Sequence, residues 1–349
     1  MLILAIDTTG FSASIALVRD GKEVLFNKIS SGYVSDKHWK DFPYILPAHH
    51  QRFLIDNLEK TLKQKKISWK NIDAIAVSAN SGIYTCILVG VSVAYTLGKI
   101  YKKPVIEIDH ILAHLYSTWL EKNPENLRFP ILVFSASGSH SDFSLLKSKK
   151  KCRVIYDTVP RQDKGEIKIF IGIGKIFYQM GKRLGIITSA DSGVSKLMKA
   201  ISQGDPYKFN FAKYYQEPVL DLNFSDFINS IDVFLKKQEK KSVKLSSQFI
   251  KDVAASFQES INEVLSNKII KIAKIKKAKE IHITGGISEN KHLEKRLKGK
   301  IKKGRLSFVL RYPVKKGYRL DNAAMIGCLA YYQKKYNIKF TNFKPSITK

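Results

Sequence analysis

Residues 3–19 of the chain read ILAIDTTGFSASIALVR, and residues 131–147 read ILVFSASGSHSDFSLLK. The two stretches align without a gap, and each has an apolar run, a small-residue turn with a central glycine, and a second apolar run. This pattern is typical of two strands joined by a turn. A further turn and strand follow at residues 20–22 and at residues 149–151. The sequence therefore predicts a unit of three strands that occurs twice.

Strand and helix patterns alternate after each of these units. The first half predicts a helix over residues 54–65, a strand over 72–77 and a helix over 85–100. The second half predicts a helix over 247–270 and a strand over 280–284, followed by a Gly-Gly turn and another helix. A mixed sheet flanked by helices, formed twice, indicates a two-lobed α/β fold.

The two glycine-containing turns predict a ligand-binding cleft between the lobes. A turn of Ser, Thr and Gly can bring backbone N–H groups close to a phosphate, so two facing copies would form a cleft that holds a nucleotide. The predicted first lobe comprises residues 1–108 with about 321–349, and the second comprises 109–320. Residues 209–245 are polar and rich in lysine, which predicts an inserted surface helix and loop.

Positive charge is the strongest compositional signal. Sixty Lys and Arg against thirty Asp and Glu give a formal net charge of +30. Such a charge attracts polyanions, nucleic acids above all. Compositional bias towards lysine is the alternative explanation. The basic runs 268–279, 295–305 and 315–319 supply the candidate phosphate contacts, at Lys276, Lys302, Lys303, Lys315, Lys316 and position 272 (Ile272).

The uncharged stretch 74–98 is long enough to cross a bilayer. A turn cluster at its centre favours a buried strand, a loop and a buried helix instead. Cys86, Cys152 and Cys328 are far apart in sequence and form neither a zinc spacing nor a disulfide framework. The first residues lack the basic region of a signal peptide. These features together predict a soluble protein of the cytoplasm.

His110 and His114 stand four residues apart in an apolar segment. On a helix this spacing places both imidazoles on one face, where they can chelate a transition metal. Ile111 occupies the position at which a zinc protease needs glutamate, which excludes that chemistry. Asp321 precedes a small-residue helix, where a carboxylate could serve as a third ligand or simply cap the helix.

The segment Ile281–Asn290 contains a strand, the Gly285-Gly286 turn and the start of a helix. Two glycines allow close approach of the backbone to a flat or anionic ligand, and Asn290 could hydrogen-bond a purine edge.

The order of these motifs resembles the tRNA-adenosine threonylcarbamoyltransferase family over nearly the whole chain. That order is the hairpin loop, His-x-x-x-His, Ser-Gly-x-His-Ser, Gly-Gly-x-Ser-x-Asn and Asp-Asn-Ala-Ala-Met-Ile. The resemblance implies the actin-like, sugar-kinase and Hsp70 superfold, with duplicated RNase H-like lobes. It also implies transfer of a threonylcarbamoyl group from threonylcarbamoyl-adenylate to the adenosine beside the tRNA anticodon, with the aid of helper subunits.

The same resemblance implies roles for individual residues. One divalent metal ion, Fe²⁺ or Zn²⁺, would be held by His110, His114 and Asp321. The adenylate would contact the second glycine turn and its surroundings, at Ser135, Ala136, Ser137, Gly138, Ser139, Gly193, Gly286 and Asn290.

Phe11, Ser12, Lys175 and Tyr178 stand where the family normally has acidic residues. These losses favour a second hypothesis, a catalytically weak or inactive paralogue that acts as a tRNA-binding or scaffold subunit. The metal ligands and Asn290 favour the enzyme. A sugar kinase of the same superfold is a third hypothesis, but residues 135–141 offer no catalytic aspartate.

Overall fold

The computed structural model describes residues 1–30, 42–137, 140–157, 161–163, 166–168, 172–187, 193–215, 222, 224–240 and 246–338. Two five-stranded sheets form the framework of this part of the chain. The first sheet takes its strands from the amino-terminal third: β1 (Leu2–Asp7), β2 (Ser14–Arg19), β3 (Glu23–Ile29), β4 (Ala74–Asn80) and β5 (Val105–Asp109). Their order is β3-β2-β1-β4-β5, with β1 antiparallel to β2 and parallel to β4.

Two long helices cover one face of this sheet, α1 (Phe42–Gln64) and α2 (Tyr84–Ile100). Leu54, Leu58 and Leu62 repeat at helical spacing on α1 and pack against the apolar side chains of β1 and β2. The helix begins earlier than the predicted residue 54, and it contains Pro47. The predicted start was too late because the prediction rested on the leucine repeat that begins at Leu54.

The second sheet repeats the architecture of the first. Its strands are β6 (Ile131–Ser137), β7 (His140–Ser148), β8 (Lys151–Asp157), β11 (Glu280–Thr284) and β12 (Val309–Arg311), and a small hairpin is formed by β9 (Arg161–Asp163) and β10 (Glu166–Lys168). The order β8-β7-β6-β11-β12 matches that of the first sheet strand for strand. The duplicated hairpin predicted from residues 3–19 and 131–147 is therefore confirmed.

The helices associated with the second sheet are α4 (Ile173–Arg183), α5 (Gly193–Ser202), α6 (Ser225–Lys240), α7 (Ser247–Ile275) and α8 (Lys291–Lys303). The prediction that residues 209–245 form a surface helix and loop is wrong for one face of α6. Phe227, Ile228 and Ile231 on this face are buried in the core, as are Phe211 and Phe224 before it. The abundant lysines conceal an apolar stripe at helical spacing.

Two further helices lie between the sheets, α3 (His110–Tyr116) and α9 (Ala323–Tyr336). Tyr116, Trp119 and Tyr332 pack together there in a buried aromatic cluster. Helix α9 lies very close to the first sheet, since a Cβ atom at Gly327 would lie 2.8 Å from a methyl group of Val18. Helix α9 therefore packs against strands β1 and β2, which lie about three hundred residues earlier in the chain.

The uncharged stretch 74–98 forms β4, a turn and most of α2, as the sequence predicted. Across the described residues, no helix combines the length and the apolar character needed to cross a membrane. The predicted lobe boundaries, 1–108 with 321–349 and 109–320, stay a prediction.

Candidate metal centre

Helix α3 presents the histidine pair at the edge of the first sheet. It begins directly after β5, and Asp109 caps it by accepting a hydrogen bond of 2.9 Å from the backbone N–H of Leu112. His110 and His114 lie one turn apart, with ring centroids separated by 4.8 Å and ring planes at 89°. The predicted helical pair is therefore confirmed, and both rings are buried.

Asp321 approaches this pair from the other end of the chain. Its Oδ1 lies 3.4 Å from Nε2 of His110 and 3.2 Å from Nε2 of His114. Asn322, and not Asp321, caps α9, since its Oδ1 accepts a hydrogen bond from the N–H of Met325. The alternative interpretation of Asp321 as a helix cap is therefore wrong. Gly10 makes room for the carboxylate, because a Cβ atom there would lie 2.8 Å from Oδ2 of Asp321.

The three side chains have the chemistry and the spacing of a metal site. Ligand atoms about 2.1 Å from a tetrahedral ion lie about 3.4 Å from one another, close to the two distances measured from Asp321. His114 is 1% exposed, and neither of its ring nitrogens has a hydrogen-bond partner among the described residues. Buried polar atoms are normally satisfied. Within the described ranges, these three residues are the one group able to hold an ion.

A second layer of polar groups fixes the orientation of His110. Its Nδ1 lies 2.9 Å from Oγ1 of Thr9 and 3.3 Å from Oδ2 of Asp7. Oγ1 of Thr9 and Oγ of Ser78 donate to Oδ1 of Asp7, at 2.9 and 2.7 Å. These contacts place a hydrogen on Nδ1, so that Nε2, which faces Asp321, is the ring nitrogen that can coordinate an ion.

Charge reinforces this arrangement. Burial disfavours the protonated imidazole of His110, but Asp7 and Asp321 outweigh it and hold the pKa of His110 well above its ordinary value. Burial likewise disfavours the charged carboxylate of Asp321, yet His110 and His114 bring its pKa well below the ordinary value. The electrostatics of the site therefore favour an ionised Asp321 carboxylate next to a positive charge. Sequence reasoning missed Asp7 and Thr9, although the position of Asp7 at the carboxyl end of a central strand was a signal.

Replacing Asp7 by asparagine (Asp7→Asn) is expected to weaken binding of Zn²⁺ or Co²⁺ about 10- to 100-fold, as is typical when a partner of a ligating histidine is lost. The reason is that a neutral amide in place of the carboxylate would no longer hold the Thr9 hydroxyl and the His110 ring in one orientation. Metal titration of the purified protein measures the effect. Asp73→Asn is the matched control, because Asp73 accepts a backbone hydrogen bond at the opposite end of β1. Equal affinities for Asp7→Asn and wild type would contradict the assignment.

The predicted substrate contacts lie at the carboxyl ends of β6 and β11. Ser135 pairs with Thr284 in the parallel register, and the hydroxyl of Thr284 is buried without a hydrogen-bond partner among the described residues. Gly285 has φ = +73°, and a Cβ atom there would lie 2.5 Å from the carbonyl oxygen of Ala136. Only glycine fits such a position.

The same turn adjoins the segment that carries Asp321. A Cβ atom at Gly286 would lie 3.8 Å from both Ala136 O and a methyl carbon of Leu320. Nη1 of Arg319 donates to the carbonyl of Ser288 at 3.0 Å. The Gly-Gly turn and the candidate metal centre are therefore neighbours, as the two-lobed interpretation requires.

The other predicted contacts are less direct. Ser137 ends β6, Gly193 begins α5, and Gly138 and Ser139 lie outside the described residues. Asn290 caps α8: its Oδ1 accepts from the N–H of Leu293 at 3.0 Å and its Nδ2 donates to Asn262 at 2.8 Å. An amide has further hydrogen-bonding capacity, so the nucleoside contact of Asn290 stays a prediction.

The non-acidic replacements are partly exposed. Phe11 is 50% exposed in the turn between β1 and β2, where Ser12 also lies, and Lys175 is exposed on α4. The ammonium group of Lys182 lies over the ring of Tyr178 on the same helix, 5.0 Å from the ring centroid.

The candidate phosphate contacts differ in charge, ion pairing and exposure. Position 272 carries no charge, because Ile272 is an isoleucine buried in the core, and including it among the basic contacts was wrong. Lys315 is paired with Glu121 at 2.9 Å, whereas Lys316 is exposed five residues before Asp321. Lys276 is half-buried, and Lys302 and Lys303 are exposed at the end of α8.

Comparison with known proteins identifies what the chain is similar to. The family model described as tRNA N6-adenosine threonylcarbamoyltransferase matches residues 41–328. A protein of that name from Protochlamydia amoebophila is 31% identical over 340 residues, covering 95% of this chain and 93% of its own. One from Staphylococcus haemolyticus is 30% identical over 332 residues, covering 95% and 91%.

Solved structures support the fold. HypF from T. kodakarensis superposes with a TM-score of 0.62 at 12% identity, covering 97% of this chain and 48% of that one. A full-length HypF in a phosphate- and nucleotide-bound form gives a TM-score of 0.60 at 13% identity, covering 98% and 56%. At this level of identity the likeness concerns the two-lobed fold alone.

Proposed function

Because the chain belongs to the tRNA N6-adenosine threonylcarbamoyltransferase family, we propose that it transfers a threonylcarbamoyl group from threonylcarbamoyl-adenylate to the adenosine next to the anticodon of tRNA. The observation that carries the proposal is the convergence of His110, His114 and Asp321 from distant parts of the chain. These residues lie beside a glycine turn suited to an anionic ligand.

In this proposal His110, His114 and Asp321 hold one divalent ion, Fe²⁺ or Zn²⁺. Two imidazoles and a carboxylate suit both metals. When bound, the ion would supply Lewis-acid chemistry that polarises the carbamoyl or phosphate oxygens of the adenylate. Asp7 and Thr9 keep the His110 ring in position, and the Gly285-Gly286 turn brings the backbone close to the adenylate.

The reaction needs little further chemistry from side chains. The exocyclic amine of the adenosine attacks the carbamoyl carbon, a C–N bond forms, and the C–O bond to the phosphate breaks. AMP leaves, and the proton lost by the amine nitrogen passes to solvent water. Residues 135–139 serve the carbamoyl or phosphate end and Asn290 the nucleoside, so the main contribution of the chain is to position both substrates. The bonds formed and broken in this reaction do not require the carboxylates that Phe11, Ser12, Lys175 and Tyr178 replace.

The partners follow from the same proposal. The formal net charge of +30 suits a tRNA substrate. Helper subunits of the threonylcarbamoyl-transfer complex assist the reaction, which takes place in the cytoplasm.

The test is a transfer assay with purified protein, threonylcarbamoyl-adenylate, unmodified tRNA and the host's partner subunits. We expect modified adenosine to be detected by mass spectrometry of the digested tRNA. A tRNA with guanosine at the target position is the matched control and should stay unmodified. Absence of product while tRNA remains bound would contradict the proposal and favour a scaffold subunit.

A further inference from the structure

Seven exposed cations cluster at the end of the second sheet that lies away from the candidate metal centre. They come from two consecutive helix-to-strand turns, α7 to β11 and α8 to β12. Because β11 and β12 are parallel neighbours, these turns lie side by side, and the N–H of Val309 donates to the carbonyl of Lys279 at 3.1 Å. We call this the basal surface; it comprises Lys271, Lys274, Lys277, Lys279, Lys302, Lys303 and Arg305.

The charge of the basal surface is not compensated locally. Residues 264–279 and 295–308 contain no aspartate or glutamate. No ion pair joins any of the seven cations to a carboxylate of the described part of the chain, whereas the neighbouring Arg296 and Lys298 are paired with Glu259 and Glu294. Burial, and then repulsion by Arg296 and Lys303, lower the pKa of Lys300 at the margin of this surface.

Helix capping accounts for only part of this cluster. Cations in the last turn of a helix interact favourably with its dipole, which is equivalent to about half a charge. Two helix ends therefore offset about one of the seven positive charges. The equivalent turns of the first sheet also carry lysines, but Glu59 pairs with Lys63 at 3.1 Å, and Asp73 lies beside the start of β4.

The basal surface is remote from the transferred group. The Gly285-Gly286 turn lies at the opposite end of β11, and the 13 residues of α8 separate the two levels. At 1.5 Å per residue the helix alone spans about 18 Å. Side chains at its far end cannot contact a base bound beside Asp321, so a polyanion held there must extend well beyond that base.

We propose that the basal surface binds the sugar-phosphate backbone of tRNA beyond the anticodon loop. This inference rests on the proposed tRNA substrate and adds where the rest of that molecule lies. A second contact of this kind would set the affinity and the orientation of the tRNA without reading its sequence. It also assigns part of the net positive charge to a defined surface of the structure.

The experiment compares binding of unmodified tRNA to wild type and to the quadruple variant K274Q/K279Q/K302Q/K303Q at several salt concentrations. Each lost phosphate contact lowers the slope of log K against log salt by about 0.7 to 0.9. For the quadruple variant we therefore expect the magnitude of this slope to be smaller by about 3 and the Kd for tRNA to be at least about tenfold higher. A short single-stranded RNA of the anticodon-loop sequence should bind both proteins equally.

The matched control is K65Q/K66Q/K102Q/K103Q, which removes the same charge from the corresponding turns of the first sheet. Equal losses in both variants would overturn the proposal, because net charge alone would then explain them. Unchanged tRNA binding, with loss of binding to phosphatidylserine vesicles, would also overturn it and assign the surface to lipid. Binding is measured without threonylcarbamoyl-adenylate, so a failed transfer reaction leaves this result interpretable. Thermal unfolding verifies that both variants are folded.

Discussion

Replacement of His114 by alanine (His114→Ala) is expected to empty the candidate metal centre and to lower threonylcarbamoyl transfer by two to three orders of magnitude. Loss of a Lewis acid is worth several kcal/mol in the transition state, and each 1.36 kcal/mol is about tenfold in rate. His114 is decisive because its buried ring has no described hydrogen-bond partner, and its Nε2 lies 3.2 Å from Asp321. Without it, only one imidazole and one carboxylate remain.

The measurement combines metal analysis of the purified protein with the transfer assay. His292→Ala is the matched control, because His292 is exposed on α8 and distant in sequence from all three ligands. It should retain both metal and activity. Stoichiometric metal in His114→Ala would refute the assignment of His114 as a ligand, and metal analysis of the double variant of His110 and His114 to alanine would then show whether His110 is a ligand.

Replacement of Arg311 by leucine (Arg311→Leu) is expected to lower the free energy of unfolding by about 3 to 5 kcal/mol, the usual cost of leaving a buried charge unpaired. The carboxylate of Glu280 is completely buried and accepts from Nε and Nη2 of Arg311, at 2.5 and 3.1 Å. His282 and the N–H of Arg128 are its remaining partners, both at 2.9 Å. Neither supplies the full positive charge that is lost.

The loss should depend on pH in a defined direction. Burial would raise the pKa of Glu280, but hydrogen bonds from His282, Arg311 and Arg128 outweigh it and lower the pKa from 4.5 to about 2. A carboxylate with a lowered pKa stabilises the fold above pH 4.5, and this contribution disappears as the pH falls from about 4.5 to 2. The difference between wild type and Arg311→Leu should therefore shrink in that interval.

Urea unfolding at pH 7 and at pH 3 measures this difference. The double variant Glu280→Gln with Arg311→Leu is the control, since it removes the buried charge along with its partner and should recover part of the stability at pH 7. An equal loss of stability at both pH values would show that Arg311 acts through packing and not through its charge.

Local patterns explain what the sequence could predict. The hairpin repeat, the His-x-x-x-His helix and the Gly285-Gly286 turn are each written in a few adjacent residues, and all three are confirmed. The pairing of the histidines with Asp321 was expected only from the family resemblance. No spacing rule connects residues more than two hundred positions apart.

Contacts between distant side chains explain what the sequence could not predict. Asp7 and Ser78 meet because β1 and β4 are parallel neighbours, a fact of sheet order that local pattern does not contain. The burial of Phe211 and Phe227 was missed because lysine content dominated the composition of their segment. Asn290 was expected only as a ligand contact, although asparagine at that position is a common helix cap.

The arrangement of α9 against β1 and β2 has a consequence for the synthesis of the protein. The ribosome produces both histidines about two hundred residues before it produces Asp321 and α9. A nascent chain therefore has two of its three candidate ligands long before it acquires the third. Occupancy of the metal centre would then mark a molecule whose translation has passed residue 321 and in which α9 has packed against β1 and β2.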